Sequence, residues 1–69
     1  MRPNGTAIRA IRRAQKMSLR AMQTTTGLNR GYLSRLERGL IRESDAEPVL
    51  KVASALNVSP DAITHKETT

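Results

Sequence analysis

The stretch Gly27-Leu28-Asn29-Arg30-Gly31-Tyr32-Leu33-Ser34-Arg35-Leu36-Glu37-Arg38-Gly39 decides how this chain folds. Two glycines bracket a short basic run that is apolar on one side only. Asn29 is a good N-cap, because its side-chain oxygen can accept from a free amide of the first turn, and Gly39 can take the left-handed conformation that stops a helix. Leu33 and Leu36 stand three apart, hence on one helical face. Arg30, Gly31, Ser34 and Arg35 then point outward. A helix with guanidinium groups on its exposed face suits a polyanion whose groove is as wide as a helix.

Upstream, Ser18 caps a second-helix segment that carries Leu19, Met22 and Thr26 on one stripe and ends at Gly27. The connection Gly27-Leu28-Asn29 is a three-residue glycine turn with an apolar residue beneath it, the mark of two helices meeting at a steep angle. Before it, Asn4-Gly5-Thr6 signals a first helix that runs to about Lys16, with Ile8, Ile11 and Arg12 on its inner face. After Gly39 comes a charged loop, Leu40-Ile41-Arg42-Glu43. Ser44 or Asp45 can cap a fourth helix, Ser44 with Glu47 forming a capping box, and Pro48 falls in the first turn, where its missing donor is tolerated. The spacing predicts a wide apolar stripe of Val49, Leu50, Val52, Ala53 and Leu56, with Val58 as a plug. Ser59-Pro60-Asp61 announces a short fifth helix through Ile63. The expectation is an all-α, compact five-helix domain over residues 6–64, a flexible N-terminal arm over 1–5 and a disordered tail over 65–69 that includes His65.

Composition narrows the function. Sixty-nine residues leave room for one small domain. Without cysteine, disulfides and thiolate metal sites are excluded, and one histidine without clustered carboxylates predicts no metal and no cofactor. No apolar run approaches the roughly 18 residues of a membrane span, and the first residues lack the apolar segment of a signal peptide, so a cytoplasmic, nucleoid-associated protein is expected. The net charge of +6 is unevenly spread: residues 1–42 hold ten cations against Glu37 alone, and the remainder holds two against five acids. Such asymmetry implies one basic face, the footprint of phosphate neutralisation by counterion release. The basic segments lack the Trp, Phe and Leu that would bury at a lipid headgroup boundary, which speaks against a membrane partner.

Taken together, Ser18-Leu19-Arg20-Ala21-Met22-Gln23, Gly27-Leu28-Asn29-Arg30, Leu33-Ser34-Arg35-Leu36-Glu37-Arg38-Gly39 and Leu50-Lys51-Val52-Ala53-Ser54-Ala55-Leu56-Asn57-Val58-Ser59 resemble the Cro/C1-type helix-turn-helix family, also called the xenobiotic-response-element family. The resemblance implies a lambda-repressor-like fold and a third helix that enters the major groove N-terminus first. Arg30 becomes the best base reader, since its fork can pair with guanine O6 and N7, and Gly31 lets the backbone approach closely or leaves Arg30 room. Ser34 and Arg35 are candidates for bases or phosphates. Tyr32, the only aromatic residue, would lie at the DNA margin or pack against the second helix. Ser18, Arg20, Asn29, Arg38 and Arg42 are candidate phosphate contacts. Leu19 stands where many relatives carry a glutamine that grips the backbone, and Gln23 stands where the family usually has a small residue at the helix crossing. Glu37 is implied to pair with an arginine of the first helix, for which Arg12 has the spacing.

The function implied is a sequence-specific double-stranded-DNA-binding transcriptional regulator, a repressor acting as a homodimer on an inverted repeat, without a small-molecule ligand. The fifth helix and the apolar edge near Val58 and Ile63 are the expected interface. A protein-interaction module, or an antitoxin-like partner-binding protein on the same fold, is the alternative. Nothing in the chain pairs a nucleophile with a base or cradles a phosphate in a glycine-rich loop, so no enzyme and no catalytic residue is expected.

Overall fold

The computed structural model describes residues 1–65. Its elements in chain order are α1 (Gly5–Ala14), α2 (Leu19–Thr26), α3 (Arg30–Glu37), α4 (Ala46–Leu56) and a 3-10 turn (Pro60–Ile63). Four helices therefore form where five were expected. Ser59 caps the last turn through its hydroxyl as anticipated, but only four residues follow before Thr64 turns extended. One antiparallel bridge, Pro3 to Thr64, is the sole β pairing among the described residues.

Local signals explain most boundaries. The side chains of Asn4, Ser18 and Asn29 each accept a first-turn amide, from Ala7, Ala21 and Gly31 respectively. Gly27 closes α2 at φ 73°. Gly39, at φ 76°, ends α3 in a paired-bond cap: its N–H donates to Leu36 and that of Leu40 to Arg35. The α1–α2 turn places Lys16 in the same left-handed region, at φ 57°.

Helix α4 departs from expectation in two ways. It starts after Asp45, whose side chain makes no capping bond. The N3 residue is Pro48, which has no N–H to give, and the Ser44 hydroxyl is engaged with the Asp45 carbonyl, so the Ser44–Glu47 box does not form. Leu50 is 45% exposed. Val49, Val52, Ala53 and Leu56 follow the i, i+3, i+4, i+7 pattern of one face, and Leu50 lies about 100° away from Val49.

The core joins Ile8 of α1, Met22 of α2, Leu33 and Leu36 of α3, the α4 stripe and Ile63. Helix α2 packs on α3 and α4, while α1 packs on α3 and the 3-10 turn. Gln23 points outward, so the α2–α3 crossing accommodates it without burial. Two tethers supplement the core. The Gln15 side chain donates to the Leu56 carbonyl at the end of α4, 2.7 Å away. The N-terminal residues, expected as a flexible arm, are bonded instead: Asn4 N–H donates to Ile63, His65 N–H to Arg2 and Ser44 N–H to Met1. Pro3 and Gly5 are buried. Gly5 is required, because a Cβ there would stand 2.2 Å from the Leu36 carbonyl oxygen and 2.6 Å from that of Glu37. The start of α1 thus lies directly on the backbone of α3. Of the expected tail, His65 is exposed and the remainder lies outside the described residues.

Candidate nucleic-acid interface

Helix α3 is held from behind at three points. Leu33 and Leu36 are buried in the core, and Glu37, also buried, faces α1. There the Arg12 guanidinium forks onto the carboxylate, Nε to Oε2 at 2.6 Å and Nη2 to Oε1 at 3.0 Å. Its Nη1 donates to the Met17 carbonyl at 2.7 Å, so one side chain links α1, the turn before α2, and α3. The side chains are 11% and 6% exposed. The expected Arg12–Glu37 pair is present, with a second role as a turn anchor. Hydrogen bonding to the carboxylate raises the Arg12 pKa above its ordinary value, against the opposing effect of burial. A raised cation pKa contributes stability that is lost only as pH rises through the folded value, so this arginine remains charged throughout the neutral range.

The turn that aims α3 is equally determined. Leu28 is half-buried beneath it, and its N–H donates to the Thr26 hydroxyl, which itself donates to the Met22 carbonyl. A buried threonine hydroxyl therefore satisfies both ends of the turn.

With that face occupied, α3 exposes Arg30, Gly31 and Arg35, and Arg38 follows at its C-cap. None of the three arginine side chains has a hydrogen-bond or acidic partner among the described residues. Ser34 is half-buried at the edge of this surface. Gly31 was expected to let the backbone approach closely or to leave Arg30 room; the neighbours of a side chain placed there are Asn29 and Arg35. A Cβ at Gly31 would stand 3.0 Å from the Asn29 Oδ1 and 3.7 Å from Nη1 of Arg35. The tight neighbour is the Asn29 cap oxygen, while Arg35, one turn on, would stand in ordinary contact.

Tyr32, expected at the DNA margin or against the second helix, faces the connection between α3 and α4. It is half-buried, its hydroxyl is 3.2 Å from the Ser44 Oγ, and it shares a shallow depression with Ile41 of the α3–α4 connection and Pro48 of the first turn of α4. The side chain braces that loop, and Arg35 lines the same depression. Ser18 and Asn29 spend their side-chain oxygens on capping, which leaves the Ser18 hydroxyl proton and the Asn29 amide donors free to meet an anion. Arg20 and Arg42 are exposed. Arg38 and Arg42 line a concave pocket together with Arg2 and His65. Sequence reasoning did not bring those last two together, because main-chain pairing between residues 2–4 and 63–65 places them there.

Comparison with known proteins agrees with this geometry. The model of a family described as Helix-turn-helix matches residues 8–63. An uncharacterized HTH-type transcriptional regulator of Mycobacterium tuberculosis is 36% identical over 59 residues, which are 86% of this chain and 41% of that protein. The chain thus spans less than half the length of the curated relative it matches. Among solved structures, the restriction-modification controller protein C.AhdI from Aeromonas hydrophila superposes with a TM-score of 0.77 at 33% identity, over 84% of this chain and 86% of that one. SinR, a master regulator for biofilm formation solved in complex with DNA, gives 0.76 at 30% identity, over 81% and 89%.

Proposed function

Because the chain belongs to the Cro/C1-type helix-turn-helix family, we propose that it is a sequence-specific, double-stranded-DNA-binding transcriptional regulator, a repressor that works in the cytoplasm. The observation that carries the reading is the two-sidedness of α3. One side is spent on Leu33, Leu36 and Glu37, and the other presents, around a bare glycine, guanidinium groups that have no partner among the described residues. In the major groove, Arg30 reads a guanine through its fork. Arg35, passing over Gly31, reaches a base or the adjoining phosphate. Ser34 stands at the groove edge. Arg20, Arg38 and Arg42 take phosphates, with Ser18 and Asn29 donating from the helix starts. Tyr32 supports the loop that bears Arg42.

A single copy reads few base pairs, so the working form is a homodimer on an inverted repeat, with two α3 helices about 34–36 Å apart. Ile63 is fully buried and cannot serve the interface expected of it. Half-buried Val58 remains available for pairing, with exposed Leu50 of α4 as a further apolar candidate.

Selection of bound sequences from a random duplex pool tests the proposal, with wild type and Arg30→Ala side by side. Wild type is expected to enrich an inverted repeat, and Arg30→Ala to lose preference at one base of each half-site. Absence of any enriched motif would favour a protein-interaction module on the same fold.

A further inference from the structure

Outside the surface already described, one basic cluster has no structural use. Arg9 and Arg13 lie one turn apart on α1, about 6 Å along its axis. Both are exposed, and neither has an acidic partner among the described residues. Like charges at i and i+4 work against a helix. They do not stand on a remote face. Arg9 and Arg13 line one depression with Leu19 at the start of α2 and with Ser34 and Arg38 of α3. The carboxylate of Glu37 also borders it, but the Arg12 fork already occupies both of its oxygens.

We propose that Arg9 and Arg13 of α1 are phosphate-binding residues that extend the nucleic-acid footprint from α3 across the depression, gripping the DNA backbone beside the groove that α3 enters. The inference rests on the DNA-binding reading above. Arg38 ties the two surfaces together, because it closes the outward side of α3 and also lines the depression. A strand of phosphates running past the C-terminal end of α3 meets Arg38 first, then the paired guanidinium groups of α1. The contact is to backbone, so these arginines set register and affinity and carry no base preference. A polyanion also reduces the repulsion among the three cations, none of which has an acidic partner among the described residues.

The test uses the full chain and the duplex enriched by selection, with binding measured against salt concentration. For the double variant Arg9→Ala/Arg13→Ala, the slope of log affinity on log salt is expected to become shallower by about 1.8, about 0.9 per lost phosphate contact. Binding should weaken by a similar factor on specific and random duplexes, with a melting temperature equal to or slightly above that of wild type, because the i,i+4 repulsion is gone, and an unchanged enriched motif. Arg9→Lys/Arg13→Lys should restore most of the slope, since a phosphate accepts either cation. An unaltered slope in the alanine variant, while wild type still enriches its motif, overturns the proposal and leaves the DNA reading standing. Loss of preference at a single base overturns it as well. A wild type that binds no duplex removes the reading beneath it.

Discussion

Arg12 and Arg35 carry the same guanidinium group and meet opposite fates. Arg12, at the junction of α1 with α3, spends three donors on two oxygens of Glu37 and the carbonyl of Met17. Arg35, less than two helical turns before the end of the same α3, is exposed and has no partner among the described residues. The difference separates what holds the helix from what the helix holds out. At the junction each guanidinium nitrogen of Arg12 has a partner and the backbones nearly touch through Gly5. On the outward face donors are unmatched and the backbone is bare at Gly31. Stability and recognition are therefore assigned to different sides of one eight-residue helix, and substitutions should separate them.

The largest effect is expected at the junction. Glu37→Ala leaves a nearly buried guanidinium uncompensated, a change that costs about 3–5 kcal/mol. In a domain of this size each kcal/mol moves the melting temperature by about 4–8 °C, so calorimetry should show a melting temperature lower by about 12–40 °C. In the cold, whatever remains folded should keep the wild-type sequence preference. Paired replacement, Arg12→Met with Glu37→Leu, should recover much of the loss, since buried pairs exchanged for apolar residues are often neutral.

Gly5→Ala attacks the same junction sterically. Its new Cβ meets backbone carbonyls that cannot rotate away, and overpacking of this kind costs about 1–3 kcal/mol or more. Chemical denaturation is the measurement. If the midpoint is unchanged, the close approach of α1 to α3 is not tight, and the contrast between a fitted inner side and a bare outer side fails.

Much of this contrast was legible in the sequence. Caps at Asn4, Ser18, Asn29 and Gly39 are local signals, each readable from a residue and its neighbours within a turn, and they framed α2, the turn and α3 correctly. Arg12–Glu37 was legible only through resemblance, since spacing on one helix says nothing about which helix lies opposite. What stayed illegible was non-local or backbone-borne. The N-terminal residues are held by main-chain bonds to Ile63, Ser44 and His65 that no side chain announces. Leu50 is apolar yet outside the stripe that meets α2, and Tyr32 turns toward a loop whose path the sequence does not specify. The arrangement of Gly31 under Arg35 depends on a rotamer, which three-residue and four-residue spacings do not determine.

On the outward side, Arg30→Ala should invert the pattern of Glu37→Ala. Discrimination at one base pair should fall by about 1–3 kcal/mol, while stability stays within about 0.5 kcal/mol of wild type. Competition binding against single-base duplex variants measures the first, and denaturation the second. A uniform loss on all duplexes would instead make Arg30 a phosphate contact.

Gly31→Ala is the smallest change and the most informative about that face. Glycine inside a helix is about 0.5–1 kcal/mol less favourable than alanine, so the substitution alone should stabilise α3. Against this stands the 3.0 Å approach of the new Cβ to the Asn29 cap oxygen, a contact that side chain can relieve by a shift of a few tenths of an ångström. The net effect on the denaturation midpoint should therefore lie between zero and a gain of about 0.5 kcal/mol. DNA affinity should fall nonetheless, because the methyl group fills the space over which Arg35 passes and sets the backbone further from the bases. A variant that is at least as stable and binds more weakly is the signature of a glycine kept for approach to a ligand. Loss of both properties together would return Gly31 to the structural side of the helix, and with it the claim that the two sides are separable.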